Sequence, residues 1–510
     1  MTANVRNGGA VANGNGASEP FDAAYARRVM WILAALVTLV LYVEGMLTPS
    51  LPTIAKQFSI SSSQASLILS SYIITGVALS PVVGKLGDIY GKKRMLGIVI
   101  AIYAVCVSVT GFSPTFAFMV GARAFQGIGL TIFPLGMSLV REEFPRSLVP
   151  RAQGFLSAMF GAGFAISLPL GAWVSNNYGW RVTYHSAIPF VVALAVLVFL
   201  FVRESRYRRP EAKVDYVGAS MLGLSLALIV LALSEGPSWG WLASSTLALF
   251  GIGAVLLVPL TLFERRYQRS GGEAILDFRL LRQRNVIVTN LVGAVAGLGM
   301  YLALLSLTYL YQVPVAAGGF GKGILGAGVS LVPLAIGMLV FAPVAGILVS
   351  RVGTRPITVI GAAVTGLGFL LMVPVQSYDS LLAVEFVVGS GIGIVNAGMI
   401  NLLVLTVDPR DMGLATSMSA VFRNVGSAIG APLSGSLLAT FTTSYFGQSL
   451  PAHDAFAWSF GLAAVAFLFA GGFILFGREV LGRRARPLDA SASEGPVASS
   501  EAAGPAPRPE

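Results

Sequence analysis

Charge is scarce in this chain. Only 11% of its 510 residues are Asp, Glu, Lys or Arg, against ~25% in ordinary soluble domains. Cysteine occurs once, as Cys106, which excludes an internal disulfide. Histidine occurs twice, as His185 and His453, and no His/Cys/Asp group has ligand spacing, so no metal site is expected. No G-x-x-x-x-G-K-[ST] loop is present, so ATP hydrolysis is not supported and neither an enzyme nor a cofactor is expected.

What the chain has is apolar length. It is 55% hydrophobic with mean hydropathy +0.78, more apolar surface than a soluble fold can bury. Hydropathy marks about fourteen runs long enough to cross a ~30 Å hydrocarbon layer. The first covers 29–51 and the last 454–478. The net charge of +11 raises a nucleic-acid partner, but the cations sit in alternate loops, which argues against one. Clusters follow every second run, among them Lys92–Arg94, Arg141/Arg146/Arg151, Arg203–Lys213, Arg351/Arg355 and Arg410. The positive-inside rule then places both termini in the cytoplasm of a multi-pass plasma-membrane protein. In the loop 264–284, Ile275, Leu276, Phe278 and Leu281 alternate with Asp277 and three arginines. Either a short helix lying in the membrane interface or an ordinary basic linker fits that pattern.

The second half of the chain repeats the first. SPVVGKLGDIYG at Ser80–Gly91 aligns with APVAGILVSRVG at Ala342–Gly353, an offset of 262 residues. The same offset relates Pro52 to Pro314, Gly127 to Gly389 and Gly129 to Gly391. This reads as two parallel six-helix copies with two helices inserted between them. The expected organisation is a disordered tail over 1–28, a bundle over 29–203, inserted helices and linkers over 204–284, a second bundle over 285–478 and a second disordered tail over 479–510. The copies differ where charge matters: Asp88 aligns with Ser350, Arg123 with Glu385 and Glu44 with Ser306.

Between the second and third runs stands GKLGDIYGKKR, Gly84–Arg94. It resembles the G-x-L-x-D-x-x-G-[RK]-[RK] signature of the major facilitator superfamily, with Gly84, Asp88, Gly91, Lys92, Lys93 and Arg94 in register. Ile89 stands where that family usually has Arg. RAFQGIG at Arg123–Gly129 resembles the family's fourth-helix motif, and FRNVGSAIG, with Arg423, a thirteenth-helix pattern of its 14-helix drug:proton antiporters. The first helix departs from that pattern: the usual Asp position is Val43, and Glu44 follows it, turned ~100° around the helix. SLPLGA at Ser167–Ala172 is an altered fifth-helix antiporter motif.

The resemblance implies an all-α polytopic membrane protein with the major facilitator fold: two pseudo-symmetric six-helix bundles plus two inserted helices, 14 in all. It implies a proton-coupled exporter of amphipathic drugs or other small organic compounds, working by alternating access. Its partners are a small-molecule substrate, protons and the lipid bilayer, with no nucleic acid, and it is expected to be a monomer. A charge inside a membrane costs several kcal/mol unless paired or wet, so Glu44, Arg123, Gln126, Arg423 and Glu385 are the candidates for proton coupling and the substrate cavity. Glu385 lies near the outer end of its run, where a merely solvated role fits as well. Gly127, Gly129, Gly161, Gly163 and Gly171 supply small faces for helix packing. In the family, the acid matching Asp88 locks the halves when the cytoplasmic side is closed; here the start of the thirteenth run, near Gly413, offers the free N–H groups for it. Two other readings stand: transport of an anionic or neutral metabolite on the same fold, and a membrane sensor that transports nothing.

Overall fold

The computed structural model describes residues 22–144, 149–204, 214–270, 272, 275, 277–374, 377–407 and 412–478. Arg146, Arg410, Leu276 and most of the Arg203–Lys213 cluster lie outside the described residues.

In hydrocarbon a backbone satisfies itself only by coiling or by closing a barrel, and the apolar runs coil. The first group is α1 Ala23–Gly45, α2 Leu51–Phe58, α3 Ser62–Tyr90, α4 Lys92–Gly111, α5 Phe116–Gln126, α6 Ile132–Glu143, α7 Val149–Tyr178 and α8 Trp180–Phe201. Then come α9 Tyr216–Trp239 and α10 Ser244–Arg269. The last group is α11 Phe278–Leu281, α12 Arg284–Gln312, α13 Ile324–Ser330, α14 Val332–Val352, α15 Thr354–Met372, α16 Tyr378–Thr406, α17 Met412–Thr440 and α18 His453–Phe476. Among the described residues, 12 helical segments are long and apolar enough to cross a membrane. The expected runs over 153–176 and 414–440 form α7 and α17, 30 and 29 residues long.

Two spans are broken by their own sequence. Pro49 and Pro52 remove N–H donors, so α1 passes through the 3-10 turn Thr48–Ser50 before α2 begins. The glycine-rich Gly127–Thr131 is likewise a 3-10 turn between α5 and α6. Gly91, at φ +106°, ends α3 and starts α4 in a backbone region that a side chain rarely enters.

In the first group α1 packs on α7 and α8, and α4 on α8; in the last, α12 packs on α17 and α18, and α16 on α14 and α15. The long α3 and α17 lie against each other and join the groups. Outward side chains are apolar, such as Phe125, Phe199 and Val255, as lipid contact requires. The helix ends near Lys92–Arg94, Arg141 and Arg351 form a basic face. At the opposite face the groups are sealed together. Ser62 Oγ donates to the Gly435 carbonyl at 3.2 Å, and Gln312 Nε2 to the Pro49 carbonyl at 2.8 Å. The hairpin of β1 Thr442–Tyr445 and β2 Gln448–Pro451 also projects there, between α17 and α18.

Two expectations are corrected. Helices inserted outside a repeat are expected at its periphery, and α10 is there, but α9 packs against both α3 and α17 at the seam. The Ser63 hydroxyl donates to the Ser234 carbonyl of α9, and the Ser436 hydroxyl of α17 to the Leu233 carbonyl. Gln64 Nε2 reaches the Glu235 carboxylate at 3.2 Å. Of the two readings left open for 264–284, the interfacial helix is the one corrected: its helical part is the single turn α11. Leu280 and Ile275 are buried in protein, because Glu264 of α10 accepts the Ile275 N–H at 3.0 Å and Asp277 caps the turn.

Candidate functional site

The two groups of helices meet around Glu44 and Arg123. Arg123 is fully buried, and a guanidinium in such a place must use its five donors. Nε donates to the Ile68 carbonyl at 3.1 Å, and Nη1 to Gln126 Oε1 at 3.4 Å. The charge lies over the Tyr72 ring, 4.5 Å from its centroid, a cation–π contact strengthened by exclusion of water. Gln126 also accepts from the Thr110 hydroxyl at 3.4 Å. Gly127 and Gly129 let this corner close. A Cβ on Gly127 would stand 2.2 Å from the Tyr72 carbonyl, and one on Gly129 2.4 Å from the Tyr103 ring.

Glu44 is 6% exposed. Its Oε1 accepts the hydroxyl of Tyr301 on α12, so the bond runs from one group of helices to the other. Arg123 and Arg423 are the cations whose charges act on it. α17 presses against α12 at Arg423, where a Cβ on Gly297 would stand 2.2 Å from the Arg423 carbonyl. The Tyr72 hydroxyl and Arg123 Nη2 are enclosed with no partner in hydrogen-bond geometry. Buried polar atoms of that kind are the ones a bound molecule satisfies.

Glu385 has another neighbourhood. It is fully buried rather than solvated, and Oε1 accepts the Tyr311 hydroxyl at 2.5 Å. The packing glycines also differ among themselves. Cβ atoms on Gly163 and Gly171 would stand 2.6 Å from Leu41 Cβ and 2.4 Å from the Met46 carbonyl, whereas at Gly161 the nearest atom, of Leu339, is at 3.5 Å. Gly161 has room for a methyl group.

At the basic face, Asp88 is 3.6 Å from Lys92 Nζ, which also binds Glu142. The free N–H groups at the start of α4 are taken by Glu204, from Lys93 and Arg94, each at 3.1 Å. Gly84 has no atom within 4 Å of a Cβ position. Gly413 lies in the first turn of α17.

The sequence profile of the Major Facilitator Superfamily matches residues 33–216, 214–431 and 291–506. This chain belongs to that superfamily. It is 29% identical over 414 residues to an uncharacterised superfamily transporter of Mycobacterium tuberculosis, an alignment covering 80% of this chain and 58% of that one. The chain thus spans less than two thirds of that relative's length. It is 24% identical to the multidrug transporter protein MdtP of Bacillus subtilis, over 74% of this chain and 69% of MdtP. Among solved structures, a bacterial homologue of the human lysosomal transporter Spinster, inward-facing and unoccupied, superposes with TM-score 0.65 at 14% identity. That match covers 89% of this chain and 97% of the other and concerns the fold.

For a major facilitator chain the sequence pointed to the charged residues of the site but not to their tyrosines. Tyr72, Tyr103 and Tyr301 are all buried here, yet a tyrosine in an apolar run reads as belt or core. The available signal was adjacency in the repeat: Tyr301 lies five residues before Ser306, the position matching Glu44.

Proposed function

We propose that this protein is a secondary active transporter that exports amphipathic organic compounds in exchange for protons by alternating access. In this reading the chain crosses the membrane fourteen times as a monomer, with the basic face in the cytoplasm. The bundles over 29–203 and 285–478 rock about the central cluster, and 204–284 contributes the inserted pair. The observation that carries the reading is the Glu44–Tyr301 bond, which ties an ionisable group to the interface that must part. MdtP, named a multidrug transporter, supports the same class.

The mechanism follows from charge. Ionised Glu44 binds either a cationic cargo or a proton, not both. A hydrogen bond to a carboxylate is roughly twice as strong as one to a neutral acid. Protonation therefore weakens the Tyr301 tie and releases a cation together. Arg123 sets the field at Glu44 and holds Gln126.

A second reading, export or uptake of an anionic metabolite, is favoured by two arginines around one carboxylate. One experiment separates them: purified protein in liposomes, a proton gradient, and a panel of cations, anions and sugars. Gradient-driven movement of lipophilic cations, lost in Glu44→Gln with exchange partly retained, is the expected result. Undiminished gradient-driven transport by Glu44→Gln ends the coupling role, and counterflow of anions alone selects the second reading.

A further inference from the structure

Glu385 is a carboxylic side chain with no solvent exposure, on α16 one to two turns from the face opposite the basic loops. Its enclosure is built by glycines. α14 crosses α16 so closely that a Cβ on Gly337 would stand 2.4 Å from the Phe386 carbonyl, and one on Gly389 2.0 Å from the Leu334 carbonyl. Oε1 accepts the Tyr311 hydroxyl at 2.5 Å, while Oε2 is buried without a hydrogen-bond partner.

The facing groups can be named helix by helix. α12 brings Tyr311, with Tyr301 and Tyr309 farther along it. α16 itself brings Tyr378 and the exposed Asp379 at its start. On α14 and α15, the ionisable side chains are Arg351 and Arg355, at the opposite, basic ends. On α17, Arg423 stands well over two turns from the sealed end. The segment before α13 brings Lys322, whose ammonium sits 4.1 Å from the centroid of the Tyr378 ring. Among the described residues no cation therefore neutralises Glu385, and an ionised carboxylate with an empty oxygen is among the most costly groups to bury.

Over this carboxyl lies a lid of three rings. Tyr311, Phe320 and Tyr378 pack pairwise with centroids 5.8, 6.1 and 5.8 Å apart. The segment that carries Phe320 and Lys322 folds back on the end of α12, its N–H groups donating to the carbonyls of Leu310 and Tyr311 at 3.1 and 2.7 Å. These bonds satisfy the last carbonyls of the helix; with the Tyr378 hydroxyl, hydrogen-bonded to that of Ser330 on α13 at 2.8 Å, they hold the lid by contacts that can be exchanged for water.

We infer that Glu385 is a second proton-binding site, separate from Glu44 and served from the face opposite the basic loops. When the Phe320–Tyr378 lid parts, a proton from that face adds to the Glu385 carboxylate and forms a neutral acid, the form that its enclosure favours. Reopening returns the proton to the same water. Tyr311 keeps its hydroxyl proton throughout and orients Oε1. The assignment of that face to the outside rests on the orientation proposed above; the proton site does not.

The test needs no substrate. Full-length protein in lipid nanodiscs is taken from acid to alkaline pH while infrared difference spectra record the C=O band of protonated carboxyls. The parent should lose a buried-carboxyl signal that Glu385→Gln lacks and Glu44→Gln retains. Tyr311→Phe, which keeps the ring, should shift that band in frequency without abolishing it. Lys322→Ala should speed its hydrogen–deuterium exchange by loosening the lid. If Glu385→Gln and the parent give the same titrating bands, Glu385 is a structural tie between α12 and α16 and the inference fails. Failure of the transport reading would instead show as an undiminished gradient response in Glu44→Gln.

Discussion

The Tyr301 hydroxyl of α12 is bonded to the Glu44 carboxylate of α1, so a donor from the second group of helices holds the acid of the first. Hydrogen bonds to charged groups contribute ~1.5–3 kcal/mol. Tyr301→Phe removes the bond and little volume. We expect it to lower the population of the state sealed opposite the basic face by about 10-fold or more. Distances between spin labels on the sealed ends of α3 and α17 would report this; unchanged distributions would refute the tie.

The seal also has a steric element. A Cβ on Gly435 would stand 2.8 Å from the Ser62 carbonyl and 2.9 Å from Ser63 Cα. Backbone cannot retreat as a flexible side chain can. Gly435→Leu should hold the seal apart and raise labelling of a cysteine placed at Glu235 by an impermeant reagent, with the helices intact by circular dichroism. Equal labelling in variant and parent would show that α3 and α17 do not close there.

At the basic face, Asp215 caps α9, accepting the Gly218 N–H at 2.7 Å, and lies beside Glu264 of α10. Burial raises its carboxyl above the ordinary value, against the opposing pull of the Gly218 N–H and the Glu264 contact. A folded-state value above the unfolded one means that the folded protein binds more protons in between. Stability of this corner therefore falls as pH rises from the ordinary carboxylate range through the raised value. Asp215→Asn should flatten that slope. Hydrogen exchange of the first turn of α9, followed across this range, would measure it; a slope as steep in the variant as in the parent excludes Asp215.

Asp88 shares Lys92 with Glu142. Asp88→Asn should leave Lys92 to Glu142 and shift the protein toward its inward-facing state by an amount on the order of 0.3–2 kcal/mol, the worth of an acid set against the start of α17 when the basic side is closed. Substrate affinity in a fixed conformation should change little. Label distances between the basic ends of α3 and α17 that match the parent would contradict the latch.

The helices and the charged residues of the candidate site were legible in the sequence because both are written in one-dimensional terms: run length and the rarity of charge. Glu44, Arg123 and Gln126 stand out in that way. What joins them does not. Tyr301 is 257 residues from Glu44, and only packing brings them together. Glu204 and Glu142 escaped notice because they lie among cations at span ends, where an acid reads as solvated. Glu264 did too: it sits at the boundary of a run, and its complete burial goes with Ile275, ahead of α11, folding back to bond it. The seam position of α9 was invisible for a related reason. Its serines look like ordinary small residues until Ser63 and Ser436 are placed opposite its last carbonyls.

In the arrangement proposed above, the inserted α9 and α10 run antiparallel as a pair, and that parity has a topological consequence. A hairpin returns the chain to the side from which it left. Everything after Arg269 therefore keeps the sidedness it would have had without the insertion, and the second copy still faces the first as a parallel repeat. A single added helix would have turned that copy upside down and carried Glu385 to the face of the basic loops. With α9 already wedged against α3 and α17, loss of one helix of the pair would break both the seal and the orientation of the second copy.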